Sequence, residues 1–292
     1  QLRIICIFSI NNENTREMIY NWRNIKTFFS SEEKLMELLK LSVDYGEYDS
    51  FLYLIDFSKT NNLELDDHIL LNLCSPYLIF TNGKIFIKIL NNIKPENFLI
   101  RANESDNFMK NVLFSCIDEK IKLKSDTSKQ LNLTNKDYEF KETDLNNVVD
   151  LIFRSVSTGK LNMDKNNYCN MLMLALVNDN AIEVDNFTNK IKDEILKIGD
   201  RGIYKLINNG FDEICRFSNF DINDFEKGLK IFVSLGLDIN RVDSGVLRFW
   251  ILEGKPIEYI EVLERYGLKK DKLYTNIKNI YQDKNDRLKV NN

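Results

Sequence analysis

The sequence is poor in the residues that interrupt helices. Its 292 residues include only 11 Gly and 3 Pro, whereas Leu, Ile, Lys, Glu and Asn are abundant. Glycine and proline are the least favourable residues in a helix interior, proline by about 3 kcal/mol relative to alanine. Their scarcity predicts an all-α protein, and a hydrophobic content of 43% is sufficient for a well-formed core.

Histidine is almost absent as well. His68 is the only one, so a nucleophilic triad or a histidine metal cluster would have to be built around it. It follows Asp66 and Asp67 at an expected helix start, where a capping or solvated role is favoured. Cys74 does not lie at the i, i+4 spacing that would align it with His68 on a helix. We therefore predict no catalytic residues, no cofactor site and no metal site.

The cysteines form no pattern typical of zinc or disulfide chemistry. There are five, an odd number, and they are widely separated along the chain. Paired spacings are the signature of zinc sites, and dense cysteine frameworks that of small secreted domains. The absence of both predicts buried free thiols and a reducing, intracellular location, which we expect to be the cytoplasm. The five residues are Cys6, Cys74, Cys116, Cys169 and Cys215.

The chain also lacks a strong charge of either sign and long hydrophobic runs. Its 40 basic and 44 acidic residues are well mixed, with a formal net charge of -4, so no extended basic surface for nucleic acid is expected. The apolar run IICIFSI at residues 4–10 is too short to span a bilayer. We expect no membrane anchor and no export signal, although the chain begins with Gln1 and a removed targeting segment is an open alternative.

Two short motifs superficially suggest ligand chemistry. Ser157-Thr-Gly-Lys160 lacks the upstream glycine of a phosphate-binding loop, so it is interpreted as an ordinary loop. The acidic run DINDFE at residues 221–226 lacks the central glycine of a calcium loop. A helix N-terminus capped by Asp221 or Asn223 explains that run better.

Two matching segment endings near the C-terminus carry most of the information. Residues 229–240 read LKIFVSLGLDIN, and residues 257–268 read IEYIEVLERYGL. In each, an amphipathic helix pattern ends at a glycine, Gly236 or Gly267, as helices closed by a left-handed residue do. Recurrence at about thirty residues is the signature of stacked helix-turn-helix repeats. Related turns or stops are predicted at Gly46, Gly83 and Gly210.

Helical periodicity extends over most of the chain. Between Ile121 and Phe140, however, apolar residues alternate with polar ones, which favours a strand pair or an extended insertion around 119–142. The predicted helical stretches are 16–30, 35–57 with a turn at Tyr45-Gly46, 67–94 with a turn at Asn82-Gly83, 107–118, 145–156, 168–177, 181–198, 203–212, 229–236, 257–267 and 271–290.

This pattern predicts five parts in the chain. They are an N-terminal capping helix region (1–30), N-terminal helical repeats (31–118), an irregular or β-like insertion (119–144), C-terminal helical repeats (145–270) and a C-terminal capping helix (271–292).

The repeated segments resemble degenerate ankyrin repeats. FVSLGLDIN at residues 232–240 is similar to the Leu-Leu-x-x-Gly-Ala-Asp-Ile-Asn ending of that family, with Leu237 in place of the alanine. LSVDYGEYDSFLYLI at residues 41–55 is similar to its helix-turn-helix core, with Gly46 at the turn glycine. The family's Thr-Pro-Leu-His tetrapeptide is absent. Asparagine makes up about one residue in eight, which is typical of AT-rich genomes, so the chain resembles ankyrin proteins of large DNA viruses and protists.

The resemblance implies an ankyrin-like solenoid that acts as a non-catalytic protein-protein interaction scaffold. A protein partner would bind through the concave face and the loop tips of such an array. Two alternatives stay open: a structural or assembly subunit of a virion or large complex, and an enzyme with a carboxylate-based metal site. The candidate partner-binding residues are Tyr45, Tyr48, Arg241, Asp243 and Arg248.

Overall fold

The computed structural model describes residues 32–44, 48–63, 65–74, 83–126, 142–199, 203–217, 221–241 and 258–269. The regular elements within these ranges are all helical, as the all-α prediction requires. The α-helices are α1 Glu32–Asp44, α2 Tyr48–Thr60, α3 Asp67–Leu73, α4 Gly83–Asn92, α5 Pro95–Glu104, α6 Asp106–Asp126, α7 Glu142–Ser157, α8 Tyr168–Val177, α9 Ala181–Ile198, α10 Asn209–Phe217, α11 Ile222–Ser234 and α12 Glu258–Arg265. The predicted helices at 16–30 and 271–290 and the turn at Tyr45-Gly46 lie outside the described residues.

The chain divides into two compact units. Unit 1 comprises residues 1–119 and 125–162, and unit 2 comprises residues 120–124 and 163–292. Helix α6 contributes to both, because Lys120–Lys124 group with unit 2. The five-part division expected from the sequence stays a prediction.

The core of unit 1 is centred on α4. This helix packs against α2, α3 and α7, while α1 packs on α2 and α3 also contacts α5. Three phenylalanine rings extend the core, since the Phe108 ring lies 6.2 Å from that of Phe86 and 6.3 Å from that of Phe98. Gly83, at the start of α4, allows close packing: a Cβ there would lie 2.7 Å from Oε1 of Glu119, which is itself buried.

The core of unit 2 is centred on α8. Every residue of α8 from Cys169 to Val177 is buried, which explains why this stretch is apolar apart from Asn170. It packs against α9, α10 and α11, and α11 in turn packs against α12. Aromatic side chains continue the core outward: the Phe211 and Phe232 rings lie 5.6 Å apart, and the Phe225 and Tyr259 rings 5.3 Å apart.

The two glycine endings predicted from the sequence are confirmed. Gly236 and Gly267 have φ of 101° and 106°. The hydrogen bonds are those of a Schellman motif in both places: Leu237 N–H donates to Phe232 O at 2.9 Å, and Leu268 N–H donates to Leu263 O at 3.1 Å. Both helices therefore end with the same backbone geometry.

Two further helices end in this way without glycine. Asn62, after α2, and Asp179, after α8, have φ of 54° and 53°. Leu63 N–H donates to Ser58 O, and Asn180 N–H donates to Ala175 O, both at 2.9 Å. Asparagine and aspartate tolerate the left-handed conformation better than other non-glycine residues. Asp179 falls in the gap between the predicted helices 168–177 and 181–198, whereas the helix end at Asn62 was not predicted.

The predicted stop at Gly210 is wrong. A π-helix at Ile203–Asn208 leads directly into α10, and Gly210 is the second residue of that α-helix. A Cβ at Gly210 would lie 2.8 Å from both Cβ and Sγ of Cys169 on α8. Glycine is therefore required here by the close approach of α10 to α8.

The strand-like interpretation is also wrong over its first residues. Helix α6 continues to Asp126, because Met109, Leu113, Ile117 and Ile121 maintain the i, i+4 spacing of a buried helix face. The alternation of Ile121 with Leu123 is too short to outweigh this spacing. Residues 127–141, which include the rest of the predicted insertion, lie outside the described residues.

Candidate functional site

A side-chain amide connects the two matching helix endings of unit 2. Asn240 lies in the 3-10 turn Ile239–Arg241, shortly after Gly236. Its Nδ2 donates to Gly267 O at 3.2 Å, and its Oδ1 accepts from Lys269 N–H at 2.8 Å. The amide thus occupies one carbonyl and one N–H of the loop after α12, as an adjacent main chain would.

A second asparagine extends this connection to the start of α10. Asn208, the last residue of the π-helix, is buried, and its Nδ2 donates to Asp238 O at 3.0 Å. The carboxylate of Asp238 accepts from Asn240 N–H at 3.1 Å, which supports the turn that carries Asn240. The end of the π-helix, the 3-10 turn after α11 and the loop after α12 are therefore joined through polar side chains.

Unit 1 contains the same bidentate arrangement. Nδ2 of Asn103 donates to Lys160 O at 3.0 Å, and its Oδ1 accepts from Asn162 N–H at 2.8 Å. As at Asn240, the amide bonds the carbonyl of one residue and the N–H two positions later. The asparagine content was interpreted as genome bias, yet here individual asparagines hold loops in place. Both lie near a helix end, Asn103 in the last turn of α5 and Asn240 shortly after α11.

A charge cluster lies at the start of α11. Lys124 Nζ lies 3.2 Å from Oδ2 of Asp224 and 3.3 Å from Oδ2 of Asp179, and Lys227 Nζ lies 3.4 Å from Oδ1 of Asp224. The side chain of Asp224 is only 5% exposed. Burial lowers the pKa of Lys124, but the hydrogen bonds and charges of the two aspartates outweigh it, so the pKa is raised.

The remaining carboxylate of this cluster caps a helix. Asp221 accepts from Asn223 N–H at 2.7 Å and from Asp224 N–H at 2.9 Å, as the N-cap of α11. This confirms the helix-start interpretation of residues 221–226. Asp221 and Asp224 are both committed to contacts within the protein, and the cluster therefore acts as a structural ion-pair network.

The candidate partner-binding residues are only partly covered by the described ranges. Tyr48 begins α2 and is half-buried, with its hydroxyl oxygen buried. Arg241 ends the 3-10 turn that carries Asn240. Tyr45, Asp243 and Arg248 lie outside the described residues. Tyr48 belongs to unit 1 and Arg241 to unit 2, and a shared binding surface stays a prediction.

His68 and the described cysteines have the surroundings of structural residues. His68 is exposed, and its main-chain N–H donates to Oδ1 of the N-cap Asp66 at 2.8 Å, which confirms the expected helix start. Cys74, by contrast, is buried, and burial raises the pKa of its thiol. Burial and the nearby charge of Glu119 raise the pKa of Cys116. A raised pKa keeps a thiol protonated and weakly nucleophilic at neutral pH.

Two kinds of feature are absent from the described residues. No group of three or more His, Cys, Asp or Glu residues in these ranges is arranged to hold a metal ion. Among the described helices, none combines the length and the apolar character that crossing a membrane requires.

Comparison of the chain with models of known protein families, with curated proteins and with solved structures found no match in any of the three.

Proposed function

We propose that the protein is a non-catalytic protein-protein interaction scaffold built from ankyrin-like helical repeats. In this proposal a protein partner binds the concave face and loop tips of the array, with Tyr45, Tyr48, Arg241, Asp243 and Arg248 as candidate contacts. A repeat array recognises its partners through exposed side chains on successive inner helices and loops.

The observation that carries the proposal is the connection of two like helix endings through Asn240. Gly236 and Gly267 close α11 and α12 with the same hydrogen bonds, about thirty residues apart, which is the period of stacked helical pairs. Asn240 then bonds the loop of one ending to the loop of the next. Neighbour-to-neighbour contact of equivalent loops is the arrangement that repeat proteins use to build an extended binding edge.

The test is capture of a partner with the full chain as bait. Cell extract from the source organism is passed over immobilised wild-type protein and over an Arg241→Glu/Arg248→Glu bait, and the retained proteins are identified by mass spectrometry. A true partner, purified and titrated against both forms, should bind the wild type saturably and the variant at least about tenfold more weakly, because charge reversal at an interface is strongly unfavourable.

Two outcomes would contradict this proposal. A partner that co-purifies in fixed stoichiometry and does not dissociate on dilution would identify an assembly subunit instead. Catalytic turnover that depends on a divalent metal bound to the purified protein would identify an enzyme with a carboxylate-based site.

A further inference from the structure

Helix α9 presents two large aliphatic side chains to solvent. Leu196 is 82% exposed and Ile182 is 74% exposed, more than any other large hydrophobic residue among those described. They are separated by about 21 Å along the helix axis, at 1.5 Å per residue, and lie within about 40° of each other around it. Both therefore belong to one outward face, opposite the buried Phe187 and Ile191 that hold α9 against the rest of unit 2.

The surface between these two side chains is polar and acidic. Asp185, Asn186, Asn189 and Asp193 are all exposed, at helical spacings that place them between Ile182 and Leu196. We call these six residues the outer face of α9. The three lysines of α9 flank it.

Each of those lysines lies away from the centre of the outer face. Lys197 pairs with Glu194 at 2.7 Å and also interacts electrostatically with Asp193, and Lys190 lies over the Phe187 ring at 5.0 Å. Lys192 lies at the edge of the outer face. The centre of the face is therefore negative, with an aliphatic anchor at each end.

This charge pattern disfavours a second copy of the chain as the occupant. An antiparallel pair of α9 helices centred on Asn189 would place Ile182 opposite Leu196, but it would also place Asp185 opposite Asp193 twice. A parallel pair would place each aspartate opposite itself. Like charges facing each other across an interface are unfavourable in either case.

We propose that the outer face of α9 is a docking surface for a basic amphipathic helix of a partner protein, with two aliphatic anchors flanking lysine or arginine residues. This inference rests on the proposed scaffold function and names a surface and a partner class for it. The anchors would contact Ile182 and Leu196, and the basic residues would pair with Asp185 and Asp193, in the helix-packing mode of peptide recognition.

The test uses two synthetic peptides and the full chain. Each peptide has about twenty residues, with leucines fourteen positions apart to match the anchors; the intervening residues on that face are lysines in one peptide and glutamates in the other. Fluorescence anisotropy should show saturable binding of the lysine peptide, weakening at least about threefold from about 50 to about 300 mM NaCl, because exposed ion pairs are screened by salt. The glutamate peptide should not bind.

Matched variants locate the site. Ile182→Gln and Leu196→Gln should each weaken binding of the lysine peptide at least about fivefold, whereas Ile100→Gln, at a 53% exposed isoleucine of α5, should leave it unchanged. Asp193→Asn should weaken binding and reduce its salt dependence, while Lys192→Gln should leave binding equal or stronger. All five positions are exposed, so thermal unfolding should be unchanged and loss of binding would not reflect loss of fold.

Several results would overturn the inference. They are equal binding of the two peptides, no binding of the lysine peptide at millimolar concentration, equal binding by wild type and Leu196→Gln, or a dimer in solution that Leu196→Gln dissociates. The two proposals fail separately. A purified partner captured equally by wild-type and Leu196→Gln baits would overturn the α9 site and leave the scaffold standing, whereas assembly or catalysis as described above would overturn the scaffold.

Discussion

The side-chain amide of Asn240 and the main-chain carbonyl of Gly267 are 3.2 Å apart, so a residue at the end of one helical segment holds the end of the next. The N–H of Lys269 completes the arrangement at 2.8 Å from Oδ1. Asn103 in unit 1 makes the same pair of hydrogen bonds, so the arrangement occurs twice in the described residues.

Removing this amide should loosen the loop after α12. Asn240→Ala should destabilise unit 2 by about 1 kcal/mol, because two hydrogen bonds are lost at an exposed site. Hydrogen exchange should report faster exchange of the Lys269 amide in particular. Asn223→Ala is the control, since Asn223 bonds Asp221 through its main-chain N–H and should keep that bond. Unchanged exchange at Lys269 in Asn240→Ala would contradict the assigned role.

Two buried glycines of unit 2 should respond oppositely to alanine. Gly210→Ala should destabilise by about 1–3 kcal/mol, because its new methyl group would overlap Cβ and Sγ of Cys169 at 2.8 Å. Gly228→Ala would meet only the tip of the Met173 side chain, at 3.0 Å. Methionine adapts readily and alanine favours a helix, so this change should be neutral or stabilising by up to about 1 kcal/mol. Urea unfolding compares the two.

Substitutions at two helix endings with positive φ should change the stability in opposite directions. Gly267→Ala should destabilise by about 1–2 kcal/mol through backbone strain alone, because its Cβ would have no neighbour within 4 Å. Asn62→Gly should stabilise by up to about 1 kcal/mol, since it removes strain at φ 54°. Thermal unfolding measures both, and a shift of the same sign in the two variants would show that the backbone conformation is not the cause.

The two aspartates that pair with Lys124 should differ in their contribution. Asp224→Asn should destabilise by about 1–3 kcal/mol, because its carboxylate is 5% exposed, whereas Asp179→Asn should cost less than about 1 kcal/mol, because its carboxylate is 69% exposed. The lengths of the two ion pairs with Lys124 are nearly equal, so the comparison reports the burial of Asp224 together with its second ion pair, to Lys227.

The stabilisation that the Lys124 ion pairs provide should depend on pH in a defined way. The pKa of Lys124 is raised in the folded protein, so its ion pairs contribute fully below the unfolded lysine value of about 10.4. This stabilisation is lost as pH rises from there through the higher folded pKa. The difference in unfolding free energy between wild type and Asp224→Asn should therefore stay constant from about pH 7 to 9 and shrink above about pH 10. A difference that grows in alkali would contradict the assignment.

Predictions from local sequence were accurate where local physics decides the structure. The apolar run at 168–177 and the amphipathic pattern at 181–198 matched α8 and α9 at both ends, because the Asn178–Asn180 turn separates two clear helical patterns. The stops at Gly236 and Gly267 were correct for the same reason: the chain must take positive φ where the helix closes on itself, and glycine does so without strain.

Predictions were less accurate where a residue serves a distant contact. The local sequence at Gly210 resembles a helix end, but glycine is needed there because a Cβ would overlap Cys169 on a different helix. Tyr48, one of the proposed partner-binding residues, is half-buried, and the binding role of that set stays a prediction. The outer face of α9 was missed, because an amphipathic pattern shows which side of a helix is apolar and does not show that Ile182 and Leu196 project from the other side.

By itself, the sequence determined that this protein is built of helices, where several of them end, and that His68 offers little basis for histidine chemistry. These properties depend on propensity, periodicity and residue type, which act over a few neighbouring residues. Tertiary structure alone decided that Asn240 and Asn103 form hydrogen bonds with loops distant in sequence. It also decided that Gly210 lies against Cys169 and that the buried Asp224 pairs with two lysines. Those relationships depend on which helices pack together, and packing is a sum over contacts between residues that are distant in sequence.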